Sequence, residues 1–469
     1  MKASLLVCLL AACGRFGFEG VPTRGDGALG ADSSTDSGSD AAPLLVPIGT
    51  TAQDSVIDIA FDAAGGFAIT GEFTQTLTIG GMSAATTASL CFDIYTAAFD
   101  PTGAPRWLWS GASNVAGSGQ NLAWLPDGRL YTVGYFGGQL ANAGNIDAGG
   151  GQDALELWLT PSGALDNVAH QGGSANVQVR GLSIAGTLLA FGGIYSNTVD
   201  FGQGSLPVAS GVDNAFLVSG DVAAGSIASI SYNGADDVYI NDVAIDASGR
   251  ICIGGRFNAT TDFGGGAFPP GGGNSGFVAR FDPGFKYAWA REIDTAIVQS
   301  VGFTTNGDCV AGGVANGNFT IDGLTETNPG AGLNDGFVIR FASADGHAEW
   351  LQTISGAGDD AVLSLVPYDQ DRVAVAGYFA GSAMVAGAPM VSDGANDGFV
   401  IGLAEDGSTL WTQLLAGSGS IPQSLSGMDV DLVRRKVGLA ATFSGDLQVG
   451  SASQTTASTA GLALVLPLP

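Results

Sequence analysis

Histidine, basic residues and cysteine are all scarce in this sequence, and the first two scarcities argue against whole classes of function. Two histidines, His170 and His347, occur in 469 residues. Neither belongs to a recognisable motif, so no histidine-based metal site or catalytic triad is predicted. Lys and Arg total 16 against 44 Asp and Glu, which gives a net charge of −28. Such a charge repels nucleic acids, and we predict no nucleic-acid partner.

Glycine and apolar residues, by contrast, are abundant. The chain has 75 glycines, 45% hydrophobic residues and 13% charged residues. The glycines follow no three-residue period, so a collagen-like chain is excluded. The apolar content is sufficient for a folded core. Many glycines with few helix-forming stretches predict short strands joined by tight turns.

The first thirteen residues have the pattern of a secretion signal. Lys2 precedes the apolar stretch Ala3–Leu10, which is too short to span a bilayer. The run Leu10-Ala11-Ala12-Cys13 resembles the lipobox of bacterial lipoproteins. The resemblance implies cleavage before Cys13, a diacylglycerol on its thiol, and a lipid-anchored protein of the bacterial outer membrane or cell surface. The alternative is an ordinary signal peptide that contains a cysteine by chance.

We therefore divide the chain into three parts. Residues 1–12 are predicted to be a lipoprotein signal peptide, and residues 13–43 to be the lipidated cysteine and a disordered acidic linker. The linker prediction rests on the polar stretch Asp32–Asp40, which has no apolar residues with which to form a core. Residues 44–469 are predicted to form the folded domain.

The predicted domain repeats one unit seven times. In each copy a strand ends in glycine, usually before an aromatic residue, and successive copies are 57 to 65 residues apart. The copies are centred on Gly71, Gly134, Gly193, Gly255, Gly312, Gly377 and, more weakly, Ala441. A second pattern keeps the same spacing: an acidic residue opens a strand with alternating apolar positions. The copies begin at Asp93, Asp335 and Asp397 and, more weakly, at Asp153, Asp213, Ser275 and Ala460.

A strand repeat of about sixty residues indicates a β-propeller or a β-solenoid, and solenoid coils are shorter. A glycine turn and a tryptophan often follow the acidic strand, as in Gly346–Trp350. These features resemble the bacterial SBBP repeats, and the resemblance covers roughly residues 44–469. It implies an all-β fold, a seven-bladed β-propeller. We expect four main strands per blade, with a short hairpin between the second and third.

The two ends of the repeat region predict how the ring closes. Residues 44–54 resemble the end of a repeat, comparable with residues 350–359, whereas the C-terminus stops after an acidic-type strand at residues 461–466. An N-terminal strand would therefore complete the last blade and remove two exposed sheet edges.

Two other propeller families share short motifs with this chain. The segment Ala98–Trp107 resembles the tryptophan-docking motif of quinoprotein propellers, although the period of about sixty residues departs from that family's shorter unit. The segment Asp406–Trp411 resembles a sialidase Asp-box, but its glycine is one place early and Leu410 replaces a threonine. Both remain alternatives to the SBBP resemblance.

Three cysteines remain beyond the N-terminal segment, which is too few for a disulfide framework. Cys252 and Cys309 occupy equivalent positions in adjacent repeats. Equivalent side chains in neighbouring blades face the same rotational direction, so one thiol should point at its neighbour and the other away. We expect two buried thiols without a bridge.

Alignment of the innermost strands predicts a column of small residues near the axis. Its members are Asp58, Asn121, Gly181, Asp242, Ser300, Ser364 and Gly427. The polar members could form a channel ring of oxygens that holds a hard cation such as Ca²⁺. The alternative is that crowding at the axis admits only small residues, and we predict no metal or other cofactor.

Loops between successive blades are the predicted ligand face. The candidate contact residues flank these links and are Tyr232, Asp236, Asp237, Asp359 and Asp360. Alternatively, such aspartates only cap solvated turns. We predict a lipid-anchored monomer that binds a protein or a glycan, with no catalytic site recognised. A hydrolase or lyase using Asp or Glu on one face, and a purely structural envelope protein, are the alternatives.

Overall fold

A computed structural model describes residues 42–49, 54–86, 92–209, 213–234, 236–271, 275–327, 333–392, 396–417 and 424–469. The predicted signal peptide, the lipid attachment at Cys13 and nearly all of the predicted linker lie outside these residues, as does Cys91. Neither of the two helical turns in the described part, Ala141–Ala143 and Asp369–Asp371, has the length or apolar character of a membrane-crossing helix.

The described residues form thirty-four strands. The first seventeen are β1 (Leu44–Ile48), β2 (Ser55–Phe61), β3 (Phe67–Phe73), β4 (Thr76–Ile79), β5 (Met82–Ala85), β6 (Asp93–Phe99), β7 (Pro105–Ser110), β8 (Ala116–Trp124), β9 (Leu130–Leu140), β10 (Ile146–Leu159), β11 (Leu165–Gln171), β12 (Val177–Ala185), β13 (Leu188–Tyr195), β14 (Asn214–Asp221), β15 (Ser226–Tyr232), β16 (Val238–Ile245) and β17 (Ile251–Phe257). The others are β18 (Ser275–Asp282), β19 (Lys286–Ile293), β20 (Ala296–Phe303), β21 (Cys309–Ala315), β22 (Phe319–Ile321), β23 (Leu324–Glu326), β24 (Asp335–Phe341), β25 (Ala348–Gly356), β26 (Ala361–Tyr368), β27 (Arg372–Phe379), β28 (Ser382–Val385), β29 (Ala388–Val391), β30 (Asp397–Leu403), β31 (Thr409–Leu415), β32 (Ser424–Asp431), β33 (Lys436–Val449) and β34 (Ala452–Pro467).

Seven antiparallel blades of four main strands contain most of these strands. In order around the ring they are β2-β3-β6-β7, β8-β9-β10-β11, β12-β13-β14-β15, β16-β17-β18-β19, β20-β21-β24-β25, β26-β27-β30-β31 and β32-β33-β34-β1. The first strand of each blade contacts the first strands of both neighbours, including β2 against β32. The chain is a seven-bladed β-propeller, as its repeats predict.

Of two finer features of the prediction, the hairpins are confirmed in three of the described blades and the closure by the N-terminus is confirmed in full. Short hairpins between the second and third strands appear as β4-β5, β22-β23 and β28-β29. The last blade takes its outer strand from the N-terminus, because β1 pairs antiparallel with β34 from Leu44↔Val465 to Ile48↔Gly461. One hairpin also reaches backward, since β28 pairs with the outer strand β25 of the preceding blade.

Apolar side chains from neighbouring blades form the core. Every residue of β3, β6, β24 and β30 is buried, since these middle strands are covered on both faces. The expected alternation in the strands that open with an acidic residue is therefore wrong, because both faces of these strands are buried and both carry mainly apolar residues. In the first blade, the rings of Phe67 and Phe99 stack with centroids 4.9 Å apart.

A one-residue bulge interrupts the innermost strand of all seven described blades, at the same level each time. The register with the second strand shifts between Val56 and Asp58, for example, so that Ile57 is the extra residue. The seven extra residues are Ile57, Gln120, Arg180, Asn241, Gln299, Leu363 and Ser426. Each member of the predicted axial column directly follows one of these bulges, so the predicted column is also a structural one.

The antiparallel order gives the propeller two different ends. The upper face, as we call it, carries the links between blades and between second and third strands. The lower face carries the tight turns, and its aspartates accept backbone hydrogen bonds. Asp246 Oδ1, for example, accepts from the N–H groups of Ser248 and Arg250, both at 2.9 Å. Such turns explain the Asp and Gly that recur between strands.

Candidate functional site

The axial column mainly joins one blade to the next. Asp58 Oδ2 accepts a hydrogen bond from the backbone N–H of Leu122 in the following blade at 2.9 Å. Asp242 Oδ2 accepts from the N–H of Val301 at 2.8 Å and from the Ser300 hydroxyl at 2.9 Å. Burial raises the pKa of Asp58 to about 8 and that of Asp242 to about 6, despite these hydrogen bonds.

The glycines of the column are required by close packing. A Cβ at Gly181 would lie 2.6 Å from the nitrogen of Val243, and one at Gly427 would lie 2.4 Å from Asp58 Oδ1. In these two blades, the hydrogen bond to the next blade is made instead by the residue two positions further along the strand. Asp429 Oδ2, for example, accepts from the N–H of Phe61 at 2.7 Å, across the junction of the last and first blades. Crowding and blade-to-blade hydrogen bonds thus account for the small, polar character of the column.

The assembly of the channel-ring residues around a cation stays a prediction. Ser364 is buried, and Asn121 Oδ1 has no hydrogen-bond partner within the described ranges. Across those same ranges, no three His, Cys, Asp or Glu side chains lie close enough together to hold a metal ion. The ring therefore carries no argument for Ca²⁺ here.

Two of the predicted ligand-face residues lie in the core instead. Tyr232 is the last residue of β15 and is 2% exposed, with its ring stacked 5.6 Å from that of Phe281. Asp360 is fully buried and accepts a hydrogen bond from the N–H of Ala380 at 3.0 Å. These side chains flank a blade link in sequence, but the neighbouring blade covers them. Both are removed from the candidate surface contacts.

The other three predicted residues remain at the upper face. Asp236 is exposed and accepts a hydrogen bond from the N–H of Asp237. Asp237 is half-buried, and its carboxylate accepts from the N–H of Asp213 at 3.1 Å. Asp359, also half-buried, accepts from the N–H of Asn334 at 3.0 Å. Asp236 thus shapes a local turn, whereas Asp237 and Asp359 join a blade link to the segment before the third strand of the preceding blade.

Buried carboxyl groups gather at the upper face between the fifth and sixth blades. Glu326 and Asp335 are each 1% exposed, and Asp360 is fully buried beside Asp359. Burial raises the pKa of Glu326 to about 7, of Asp335 to about 6 and of Asp360 to about 7, and repulsion among the carboxylates adds to each shift. We call these four residues the acidic cluster.

At the lower face, scarce arginines are used to join blades. Arg280 Nη1 donates to the carbonyl of Ser343 in the next blade at 3.1 Å, and Arg340 Nη1 donates to that of Glu405 at 2.8 Å. Arg434 Nη2 donates to the carbonyl of Ala63 at 3.0 Å, which ties the last blade to the first. A structural role is therefore sufficient to explain these cations.

Two other arginines lie at the upper face, around Tyr239. The Arg180 guanidinium carbon is 5.3 Å from the centroid of the Tyr239 ring, and that of Arg256 is 4.4 Å away. The Tyr239 hydroxyl donates to Asp213 Oδ2 at 2.9 Å. Burial, followed by the charge of Asp213, raises the pKa of this tyrosine to about 12. The ring is therefore neutral and fixed between charged neighbours.

A small cavity adjoins this arrangement. It has a volume of about 70 Å³ and is lined by Asp237, Tyr239, Arg256, Phe257 and Asn258. Asn258 Oδ1 is buried and has no hydrogen-bond partner in the described part of the chain. We call Arg180 together with these five lining residues the upper-face site. The cavity lining combines one cation, a carboxylate and a buried amide oxygen without a partner in the described part of the chain, and Arg180 lies next to it, beside the Tyr239 ring.

This site could be predicted from the sequence only in part. Asp237 was a candidate, but Arg180 and Arg256 were missed. Arg256 follows Gly255 in the glycine pattern, where the other copies have Glu, Tyr, Ile, Gly or Thr. Arg180 is a bulge residue, and a bulge is not visible in the alternation of apolar residues. The remaining signal was the scarcity of basic residues, because each arginine in so acidic a chain requires an explanation.

A histidine–aspartate pair lies elsewhere on the upper face. His170 Nδ1 is 2.7 Å from Asp153 Oδ2, and the imidazole is about one-third exposed while the carboxylate is buried. Asp153 Oδ1 also accepts from the N–H of Gly173 at 2.7 Å. Asp93 has the same structural role in the first blade, where it accepts from the N–H of Ser113. The aspartate is therefore a structural element of the fold, to which one blade adds a histidine.

The two cysteines of the described ranges, Cys252 and Cys309, are both buried and free, as predicted. The predicted geometry is wrong in one respect, because the two thiols contact each other across the blade interface. Burial and this contact raise the pKa of Cys252. The Cys252 thiol is therefore in the unreactive protonated form.

Comparison with known proteins adds likeness in fold only. No family model and no curated protein sequence matches the chain. Among solved structures, the Dos1 propeller covers 90% of this chain and 95% of its own, at 12% identity and a TM-score of 0.43. The polysaccharide lyase Uly1 covers 89% and 90%, at 10% identity and 0.41. The β-propeller domain of the trilobed protease from Pyrococcus furiosus covers 87% and 96%, at 8% identity and 0.41. These proteins differ in function, and likeness at this level carries no function over to the chain.

Proposed function

We propose that this chain is a lipid-anchored protein of the bacterial cell envelope whose propeller binds a protein or glycan ligand at its upper face. The lipid anchor is supported by the lipobox-like run ending at Cys13. An outer-membrane or cell-surface location belongs to the same proposal. A propeller on a tether presents a rigid surface at a distance from the membrane, which suits a binding role.

One observation carries the binding proposal: Arg180 brings a positive charge to the upper-face site without an evident structural need. The lower-face arginines are explained by hydrogen bonds to the next blade. Arg180 instead lies beside a cavity that holds an unpaired amide oxygen and a half-buried carboxylate. Binding sites typically combine a concavity with a few fixed polar groups.

Binding of the full-length chain to glycan and peptide arrays tests this proposal. Contacts spread over loops should respond gradually, so Asp236→Ala and Asp359→Ala should each weaken binding by a few fold. Because Asp236 is exposed, its substitution should change the melting temperature little, whereas the half-buried Asp359 accepts the Asn334 N–H, so its variant is compared at equal folded fraction. A matched control is Asp127→Ala at the lower face. Failure to bind any glycan or peptide would overturn the proposal.

The His170–Asp153 pair specifically favours the second candidate function, a propeller hydrolase or lyase. A buried carboxylate that orients an exposed imidazole is the arrangement of a general base. No hydroxyl or thiol within the described ranges is hydrogen-bonded to His170, so a nucleophile would have to be water. Turnover of a glycan or peptide library that disappears in His170→Ala, while binding persists, would establish this candidate instead.

A further inference from the structure

Arg180 is the one charged residue among the seven bulge residues of the innermost strands. The other six are neutral: Ile57, Gln120, Asn241, Gln299, Leu363 and Ser426. In the fourth blade the bulge residue joins two blades, because Asn241 Nδ2 donates to the carbonyl of Val298 in the fifth blade at 2.9 Å. A neutral amide is therefore sufficient for a structural role at this level, and a guanidinium is not required.

The charge of Arg180 is poorly compensated within the protein. Its hydrogen bonds go to two neutral amides, Asn241 Oδ1 and Gln178 Oε1, each at 3.4 Å, and Nε has no partner among the described residues. Within those residues no carboxylate lies within 4 Å of it, although the chain is strongly acidic. A half-buried guanidinium with weak, neutral partners costs free energy, which an anionic ligand would recover.

The neighbouring cavity indicates which other groups the ligand carries besides its anionic group. Asn258 Oδ1 has no donor within the described ranges, and the Asp237 carboxylate also lines the cavity. Both groups accept hydrogen bonds, and Asp237 would repel a bare anion placed beside it. A ligand that matches these groups carries hydroxyl donors next to a single carboxylate, with only its edge entering the cavity of about 70 Å³. Sugar rings that bear a carboxylate have this chemistry.

We propose that the upper-face site binds an acidic glycan, with its carboxylate on Arg180 and its hydroxyls donating to Asp237 and Asn258. This inference rests on the proposed binding function and makes it specific. Amide side chains such as Gln178 and Asn241 around the guanidinium support a glycan over a peptide, because amides pair with hydroxyls as both donor and acceptor. A peptide would need an apolar pocket or an open strand edge, which this site does not provide.

The test is titration calorimetry of the full-length chain with a polyuronate oligosaccharide and with its fully methyl-esterified form. The wild-type protein should bind the acid form at least about tenfold more tightly, because charge-assisted hydrogen bonds are the stronger kind. Affinity for the acid form should also fall as salt increases. Neither measurement depends on a variant that folds.

Variants then locate the contact. Arg180→Gln should lower the affinity for the acid form by about tenfold or more and leave that for the ester unchanged. Asn258→Ala should weaken both forms, and Arg129→Gln at the lower face should alter neither. Equal affinity of the wild type for acid and ester would overturn the inference, as would unaltered binding by Arg180→Gln. If the chain binds only peptides, the acidic-glycan inference fails while the binding proposal stands. If it binds neither glycan nor peptide, both fail.

Discussion

The indole of Trp107 in the first blade rests on Gly163 in the second. Its Nε1–H donates to the carbonyl of Pro161 at 3.0 Å, and a Cβ at Gly163 would lie 2.4 Å from the ring. The same contact joins two further pairs of blades. The Nε1–H of Trp289 donates to the carbonyl of Ser343 at 3.1 Å, and that of Trp350 donates to the carbonyl of Glu405 at 2.9 Å. Tryptophan in one blade and a turn glycine in the next thus form a repeated junction.

Substitutions at this junction should be coupled. Gly163→Ala places a methyl group against the ring at a backbone φ of +83°, so it should cost about 2 kcal/mol or more of unfolding free energy. In a Trp107→Ala background the steric part disappears, and the cost should fall to about 1 kcal/mol. Chemical denaturation of the four proteins measures this coupling. Additive effects would show that the contact is energetically unimportant.

This junction also shows what the sequence could and could not predict. Gly103 and Trp107 were visible as a glycine–tryptophan pattern within one repeat, but Trp107 contacts the glycine of the next repeat. Gly103 instead packs against Leu44 and Val46 of the N-terminal strand. A repeat reveals which residues recur, because each blade buries the same pattern. It does not reveal which neighbour a side chain contacts.

The same limit of sequence repeats applies to the candidate site. The blade number, the hairpins and the closure came from recurrence; the blade number and the closure are confirmed, and separate hairpins appear in three of the described blades. Tyr232 and Asp360 were assigned to an exposed face from their positions next to blade links, yet the adjoining blade buries them. Arg180 was missed because a bulge changes which side of a strand a residue faces, and period-two alternation does not record it.

Closure by the N-terminal strand makes a direct prediction about truncation. Deletion of residues 44–50 removes β1, exposes the edge of β34 and takes Leu44 and Val46 away from the turn at Gly103. The melting temperature should fall by several degrees, and aggregation should increase because a strand edge is left open. Deletion of residues 14–42 is the control and should have little effect. Equal melting temperatures for the two truncations would contradict this closure.

Lipid attachment at Cys13 predicts the mass of the mature N-terminal peptide and the loss of its lipid when Cys13 is replaced. The mature protein should begin at Cys13 and carry a diacylglycerol, and Cys13→Ala should leave the precursor unlipidated, so that it is released or stalled. Cys8→Ala, within the apolar stretch, should retain the modification and serves as the control. Mass spectrometry of the N-terminal peptide measures both. An unmodified mature N-terminus at another residue would refute the anchor.

The acidic cluster should make stability fall as pH rises. Its folded-state pKa values of about 7 for Glu326 and Asp360 and about 6 for Asp335 exceed those of unfolded chains, roughly 4. The native state therefore holds more protons between these limits, and melting temperature should decrease from pH 4.5 to about 7 and then level off. Asp360→Asn should flatten this slope and stabilise the protein by about 1 kcal/mol or more at pH 8, whereas exposed Asp236→Asn should not. A melting temperature that rises over this range would show that the carboxyl groups are already ionised at low pH.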